Sequence, residues 1–127
     1  MEPERFFHVA IKTDALEESI AFYRESFGGT VVDESAPDEE VQYAALEVAD
    51  KRVYLFEKAP YEAEGLVDEL PTGFLHFGFV VPSVDAAVET LTEAGADLLM
   101  EPATFGELRI AFVYDPSGTR VELLEEL

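Results

Sequence analysis

The chain has 127 residues, enough for one compact domain or two very small halves, and its 28 acidic against 8 basic residues give a formal net charge of −20. Such acidity argues against nucleic acid and anionic membranes as partners, because binding to phosphate depends on Lys and Arg. A disordered chain is also excluded, because 48% of the residues are hydrophobic and 12% are aromatic. Strong acidity with few lysines resembles the proteins of salt-accumulating organisms, so we expect a halophilic protein.

The chemistry open to the chain is limited by its lack of cysteine. Disulfides, thiolate metal sites and cysteine nucleophiles are excluded, so catalytic groups must be oxygen or imidazole groups. The first five residues contain no basic segment followed by an apolar stretch, and no run approaches the about 20 apolar residues of a membrane span. We therefore expect a cytoplasmic protein.

The first half of the chain has the pattern of a strand, a helix and three more strands. A β-rich run covers residues 6–12, and Asp14 followed by Glu17 predicts a capping box at the start of a helix. Gly28 and Gly29 are expected to end this helix. Its apolar stripe consists of Leu16, Ile20, Tyr23 and Phe27. Strand-like runs follow at residues 30–36, 41–49 and 52–58.

The second half repeats this order after a connector over residues 59–73. A strand is predicted at 74–81, and a helix begins near Ser83 and closes at Gly95. The buried face of that helix is expected to carry Val84, Ala87, Val88 and Leu91. Three strands follow at 97–101, 107–114 and 119–124, the last two joined by the turn sequence Asp115-Pro116-Ser117-Gly118.

Short sequence matches relate the two halves at one constant offset. His8 and His76 lie 68 residues apart in similar apolar runs, and segment 52–57 matches segment 120–125 at the same offset with four of six residues identical. A repeated offset is the mark of an internal duplication. We therefore predict two βαβββ modules, about residues 5–58 and 74–125, within a single domain covering 1–127.

The duplication brings the candidate functional residues together. His8 and His76 are the only histidines, and because they hold equivalent positions we expect their side chains to point into one shared space. Glu122 and Tyr54 are likewise equivalent, on the last strand of each module. A single histidine in an apolar strand is usually structural, but two at repeat-equivalent positions with a carboxylate favour a metal site.

Two other carboxylates share the offset but not the predicted orientation. Glu57 and Glu125 lie three residues beyond Tyr54 and Glu122, on the opposite face of their strands, so we assign both to solvent. A β-bulge would be needed to turn Glu57 toward the site.

These modules, the two histidines, the Asp115–Gly118 turn and the strand around Glu122 together resemble the vicinal oxygen chelate superfamily, which includes glyoxalases, bleomycin-resistance proteins and extradiol dioxygenases. The resemblance covers about residues 5–125. It implies an α+β fold in which the modules form a cupped eight-stranded mixed sheet. It also implies a divalent metal ion, of the Fe, Mn, Zn, Ni or Co type, at positions His8, Tyr54, His76 and Glu122. Family members of this kind often pair as homodimers, which we also expect here.

Tyr54 departs from the glyoxalase I pattern, in which this position holds a glutamate. A phenol with a reference pKa near ~10 is a poor base and a weak metal ligand at neutral pH. His8, His76 and Glu122 remain as metal ligands, with Glu122 and Tyr54 as the candidate catalytic residues. The predicted function is a metal-dependent enzyme of lyase, isomerase or dioxygenase type that chelates vicinal oxygens of a small substrate. The alternative is a protein that sequesters a small molecule without turnover, as bleomycin-resistance members do.

Overall fold

The computed structural model describes residues 2–127, which divide into two compact units. The N-terminal unit is His8–Leu75, and the C-terminal unit comprises residues 2–7 and His76–Leu127. The elements in chain order are β1 (Arg5–Lys12), α1 (Leu16–Phe27), β2 (Thr30–Glu34), β3 (Tyr43–Val48), β4 (Lys51–Phe56), α2 (Pro60–Ala63), β5 (Gly73–Val80), α3 (Val84–Glu93), β6 (Asp97–Phe105), β7 (Leu108–Tyr114) and β8 (Arg120–Glu126).

The strands belong to an eight-stranded mixed sheet, as predicted. Their order is β2-β3-β4-β1 through the N-terminal unit and β5-β8-β7-β6 through the C-terminal unit. In each unit the first and last strands of the module pair in parallel, and the remaining pairs are antiparallel. Both units therefore have the predicted βαβββ order, with the short helix α2 added in the connector.

The register of the parallel strand pairs shows the duplication at the level of single residues. Ala10 pairs with Tyr54 between β1 and β4, and Gly78 pairs with Glu122 between β5 and β8. Each residue of the second pair lies 68 positions after its counterpart in the first. Tyr54 and Glu122 are thus structurally equivalent, as the sequence repeat predicts.

The start of α1 differs from the predicted capping box. The N-cap residue is Ala15, and no side-chain hydrogen bond caps the helix there. Instead the Thr13 hydroxyl accepts a hydrogen bond from the Ala15 N–H at 3.0 Å and lies 2.8 Å from the Ser19 hydroxyl. The predicted Asp14–Glu17 box is therefore wrong: the buried Thr13, one residue earlier, is the side chain that meets the free N–H.

The end of α1 needs both glycines, for different reasons. Gly28 has φ +68°, the left-handed conformation that ends many helices. Gly29 lies so close to the helix that a Cβ there would come within 2.9 Å of the Tyr23 carbonyl oxygen. Ile20 and its stripe neighbours pack on the sheet, whereas Phe27 in the final turn is 60% exposed.

Helix α3 begins at the predicted residue. Ser83 is its N-cap, and the Ser83 hydroxyl accepts a hydrogen bond from the Ala86 N–H at 3.2 Å. A second helix-start donor, the N–H of Val84, binds the Glu125 carboxylate at 2.9 Å. The assignment of Glu125 to solvent is therefore wrong, because this partly buried side chain stabilises the first turn of α3.

Each unit buries its own core between helix and sheet. In the N-terminal unit, α1 covers a cluster of buried residues comprising Ile20, Ala44, Leu46 and Leu55. In the C-terminal unit, α3 covers Val81, Val84, Ala87, Ala111, Val113 and Leu123. The helices thus occupy one face of each half of the sheet, which leaves the opposite face for the polar and aromatic side chains. Among the helices of residues 2–127, none combines the length and apolar character needed to cross a membrane.

Candidate functional site

The predicted site residues of the C-terminal unit meet in the structure. His76 on β5 and Glu122 on β8 lie next to each other, with 3.1 Å between His76 Nε2 and Glu122 Oε1. Their side chains are only 1% and 10% exposed. The neighbours Val121 and Leu123 face the α3 core, so strand alternation turns Glu122 to the other face of the sheet.

An apolar wall closes one side of this pair. The Phe112 ring on β7 meets the His76 ring edge to face, with 4.9 Å between ring centroids, and Phe112 is itself only 2% exposed. Phe112 is the register partner of Glu122. An imidazole and a carboxylate are therefore held together where little water reaches them, which strengthens their electrostatic interaction.

The predicted site residues of the N-terminal unit also meet. His8 on β1 is 2% exposed and contacts Tyr54 on β4, with ring centroids 5.1 Å apart in an edge-to-face arrangement. His8 therefore has an aromatic ring beside it, whereas His76 has a carboxylate. The difference arises because the repeat position that holds Glu122 in the second module holds Tyr54 in the first.

Beyond Tyr54, a line of rings continues along the same face of the N-terminal unit. Tyr54 stacks on Phe56 at 5.7 Å with only 10° between ring planes, and Phe56 contacts Tyr43 at 5.7 Å. The Tyr43 hydroxyl donates a hydrogen bond to Asp33 at 3.2 Å. Burial, together with the nearby Asp33 carboxylate, raises the pKa of Tyr43 to about 12. We call Tyr54, Phe56 and Tyr43 the aromatic row.

Glu57 stays outside the site, as predicted. It is exposed, and its carboxylate accepts a hydrogen bond from the Gln42 N–H at 3.2 Å. Strand β4 pairs with β1 and β3 without a register shift, so no bulge redirects it.

Asp115 belongs to the turn that joins β7 to β8. Its Oδ1 accepts hydrogen bonds from the Ser117 and Thr119 N–H groups at 2.9 Å. The hydrogen bond from the Ser117 hydroxyl, followed by those from the backbone, holds the pKa of Asp115 below its usual value. The residue therefore has the structural role predicted for it.

A buried ion pair joins the end of β1 to the connector, and the sequence did not predict it. Lys12 Nζ lies 2.8 Å from Glu62 Oε2, with side chains 10% and 1% exposed. Glu62 also accepts hydrogen bonds from the N–H groups of Ala59 and Leu70, each at 2.9 Å. Residues 59–73 have no hydrophobic period, so the sequence does not show where Glu62 lies relative to β1. The one sequence feature that could have indicated an ion pair is Lys12, a lysine at the end of an apolar strand.

Comparison with known proteins places the chain in a family. The family model of the Glyoxalase/Bleomycin resistance protein/Dioxygenase superfamily matches residues 5–123. This duplicated sheet fold and the match over nearly the whole chain define the class of protein. The chain belongs to the glyoxalase, bleomycin-resistance and dioxygenase superfamily.

Individual relatives are similar over almost the whole chain. A lactoylglutathione lyase of Arabidopsis thaliana is 30% identical over 124 residues, covering 95% of this chain and 44% of the relative. Protein YwkD of Bacillus subtilis is 32% identical over 124 residues, covering 94% of each. The chain thus spans less than half the length of the plant relatives that it matches.

Solved structures confirm the fold. The methylmalonyl-CoA epimerase of Mycobacterium tuberculosis has a TM-score of 0.77 with 23% identity, over 98% of this chain and 89% of the epimerase. At this level of identity the likeness concerns the fold.

Proposed function

We propose that the chain is a divalent-metal-dependent enzyme of lyase or isomerase type, acting on a small substrate with oxygens on adjacent carbons. His8, His76 and Glu122 would hold the ion. The observation that carries the proposal is the buried His76–Glu122 pair, in a family whose named relatives include lactoylglutathione lyases. The two histidines hold equivalent positions in the duplicated modules, which supports including His8.

The donor set fits such an ion. Each of the three residues is buried and offers one ligand atom, and two imidazoles with one carboxylate suit first-row transition metals. The 3.1 Å between His76 Nε2 and Glu122 Oε1 places these two donor atoms side by side, so both could contribute to holding one ion. When bound, the ion would act as a Lewis acid toward the substrate oxygens.

The chain's own groups would supply proton transfer and positioning. In a substrate with a hydroxyl and a carbonyl on adjacent carbons, the Glu122 carboxylate would take the C–H proton from the hydroxyl-bearing carbon and return it to the neighbouring carbon. The hydroxyl proton would pass to the former carbonyl oxygen, so that hydroxyl and carbonyl exchange places. The Tyr54 hydroxyl would donate a hydrogen bond to a substrate oxygen. Phe112 would keep water away from His76 during the transfer.

Lyase or isomerase chemistry is favoured over dioxygenase chemistry. Extradiol dioxygenases of this superfamily use a further histidine as acid or base, and this chain has only two histidines, both assigned to the ion. The named lactoylglutathione lyase relatives support the same choice.

The direct test is metal content. The purified chain should take up one ion per chain when loaded with Ni, Co, Zn, Mn or Fe(II) at high salt, as measured by elemental analysis. We expect His76→Ala to lose the ion, and Phe22→Leu, on the exposed surface of α1, to retain it. A wild-type chain that takes up none of these ions, or equal metal content in His76→Ala, would refute the proposal.

A second candidate function is sequestration of a ligand without turnover, and Tyr54 favours it because the site then has one carboxylate instead of two. If Tyr54 limits turnover, Tyr54→Glu should tighten metal binding by roughly tenfold or more, since carboxylates are better ligands than phenols. It should also raise the rate of lactoylglutathione formation in a spectrophotometric assay.

Tyr54→Phe is the matched control for this prediction. It removes the hydroxyl but adds no charge, so the metal affinity should stay near the wild-type value. If Tyr54→Glu leaves both affinity and rate unchanged, Tyr54 is not the residue that restrains turnover.

A further inference from the structure

A cavity of about 570 Å³ lies at the C-terminal end of α3, within the C-terminal unit. Its apolar walls belong to the core that α3 covers and consist of Phe79, Leu91, Val113, Val121 and Leu123. Glu122 lies between Val121 and Leu123 on β8, so strand alternation turns it to the other face of the sheet. The cavity is therefore separate from the site of His76 and Glu122, and its volume is in the range that holds a small organic molecule.

The corresponding end of α1 packs directly on its own sheet. The Gly29 N–H binds the Tyr23 carbonyl oxygen at 3.0 Å, and a Cβ at Gly29 would come within 3.3 Å of Leu46. The matching hydrogen bond after α3 joins the Ala96 N–H to the Leu91 carbonyl oxygen at 2.9 Å, and Leu91 lies 68 positions after Tyr23. Ala96 therefore holds the place of Gly29, yet it carries a Cβ and lines the cavity. The end of α3 thus borders open space where the end of α1 is close-packed.

The end of α3 also lacks a positive charge that the end of α1 has. Carbonyl groups at the C-terminus of a helix carry partial negative charge, which cations stabilise. Arg24 lies in the last turn of α1, whereas the last turn of α3 contains no basic residue. Thr92, 68 positions after Arg24, holds the corresponding place, and its hydroxyl donates a hydrogen bond to the Val88 carbonyl oxygen at 2.8 Å. A cation bound at the end of α3 would supply the missing charge.

Two carboxylates line the same cavity, and none of the described residues that line it is basic. Asp97 is exposed and begins β6 just after the end of α3. Asp115 accepts its hydrogen bonds from Ser117 and Thr119 through Oδ1, which leaves Oδ2 for a ligand. These hydrogen bonds, that of the Ser117 hydroxyl first, hold the pKa of Asp115 below its usual value, so this carboxylate is charged at neutral pH.

Aromatic rings complete the lining. Phe79 and Tyr114 both border the cavity, and aromatic rings attract ammonium groups as well as packing against apolar ones. We propose that this cavity is a binding site for a small organic cation, in which an ammonium group near Asp97 and Asp115 is joined to an apolar body held by the core residues. The site is independent of the proposed function, because it lies on the helix-covered face of the sheet.

The test compares ligands that share an apolar body and differ in the charge of the head group. 2-Phenylethylammonium, 2-phenylethanol and 3-phenylpropanoate each carry a phenyl ring on a two-carbon chain, and ethylammonium has the charged head without the ring. NMR titration of the metal-free chain at high salt, which screens long-range attraction to the acidic surface, should shift the amide signals of Gly95, Ala96 and Asp97. 2-Phenylethylammonium should bind at least about tenfold more tightly than 3-phenylpropanoate or ethylammonium, and about threefold more tightly than 2-phenylethanol.

Filling the cavity should abolish this binding. Leu91→Tyr introduces the residue type that the first module has at the equivalent position 23, and it should weaken 2-phenylethylammonium binding at least about tenfold because the ring occupies the ligand's space. Ala94→Phe tests the same point from the exposed residue that caps α3, where a larger side chain leaves the core intact. Urea unfolding midpoints show which of the two variants folds as wild type does.

Removing one carboxylate separates the head group from the apolar body. Asp97→Asn should weaken 2-phenylethylammonium binding about threefold and leave 2-phenylethanol binding unchanged, since only the charged head loses an interaction. Asp38→Asn is the matched control, because this exposed residue of the N-terminal unit changes the net charge equally far from α3. We expect wild-type affinity in the control.

Several results would overturn the inference. Equal affinity for the three phenyl ligands, or for ethylammonium and 2-phenylethylammonium, would show that charge and apolar body are not recognised together. Affinity that survives in a folded cavity-filling variant, or that Asp38→Asn lowers as much as Asp97→Asn does, would place the ligand elsewhere. Metal loading should leave the affinity unchanged, and binding that requires the metal would place the ligand on the other face. Since the titration uses the metal-free chain, a failure of metal loading refutes the proposed function and leaves this test intact.

Discussion

Glu122→Gln should weaken divalent-metal binding by more than about 100-fold, because even residues that only support metal ligands cost 10–100-fold when changed. The substitution replaces a charged carboxylate beside His76 with a neutral amide of nearly the same shape. Under the proposed function, turnover should fall at least as far, because the same change removes the proton acceptor. Competition with a chelator of known affinity measures the first effect, and steady-state kinetics with saturating metal measures the second.

Glu57→Gln provides the matched control for this prediction. Glu57 is exposed and follows directly after β4, outside the site, so its replacement changes the net charge equally without touching the proposed ligands. We expect metal affinity close to wild type in the control. If Glu122→Gln binds metal as tightly as the control does, Glu122 is not a ligand.

Glu62→Gln should lower the free energy of unfolding by about 3–5 kcal/mol, the usual cost of removing one partner of a buried ion pair. The variant leaves Lys12, which is only 10% exposed, without its counter-charge. It also places an amide where the N–H groups of Ala59 and Leu70 need an acceptor. Urea denaturation at neutral pH and high salt measures the loss.

Two comparisons separate the ion pair from general charge effects. Glu126→Gln breaks the Arg5–Glu126 pair, which is about half exposed and screened by solvent, and should cost far less stability than Glu62→Gln. The double change Lys12→Met with Glu62→Gln no longer leaves a buried charge without its partner, so it should recover part of the stability lost in Glu62→Gln. Equal losses in Glu62→Gln and Glu126→Gln would contradict a buried role for Glu62.

The same pair sets a pH dependence. Burial would raise the pKa of Glu62, but the hydrogen bonds from Lys12, Leu70 and Ala59 outweigh it, and the pKa lies below its usual value. A lowered carboxyl pKa stabilises the folded state above the unfolded-state pKa, and this stabilisation is lost as the pH falls through the folded-state pKa. The stability advantage of wild type over Glu62→Gln should therefore be complete near neutral pH and shrink in acid.

Residue patterns predicted the order of helices and strands well because each element occurs in both modules, so the pattern of one module supports the assignment in the other. The offset of 68 residues that relates His8 to His76 reappears in the pairing of Ala10 with Tyr54 and of Gly78 with Glu122. Periodicity and turn chemistry are local properties, so they survive in a single sequence. The Ser83 cap and the Asp115 turn were predicted on the same basis.

Local patterns failed where a side chain has an alternative partner. At the start of α1 the Thr13 hydroxyl, rather than the predicted Asp14 side chain, accepts a hydrogen bond, which the Ala15 N–H donates, and Glu125 binds the start of α3 rather than water. Which acceptor reaches an N–H group at a helix start depends on how the chain enters the helix. Spacing in the sequence does not contain that information.

The sequence by itself determined the family, the duplicated fold and the pairing of a histidine with a carboxylate in the second module, because repeat offset and strand alternation fix which residues are equivalent. Only the tertiary structure decided which groups touch: Glu62 with Lys12, Glu125 with Val84, and the rings of Tyr54, Phe56 and Tyr43 with one another. Contacts between residues on different elements depend on strand register and on the path of the connector. A hydrophobic period specifies neither of these, so the contacts between side chains are decided by tertiary packing.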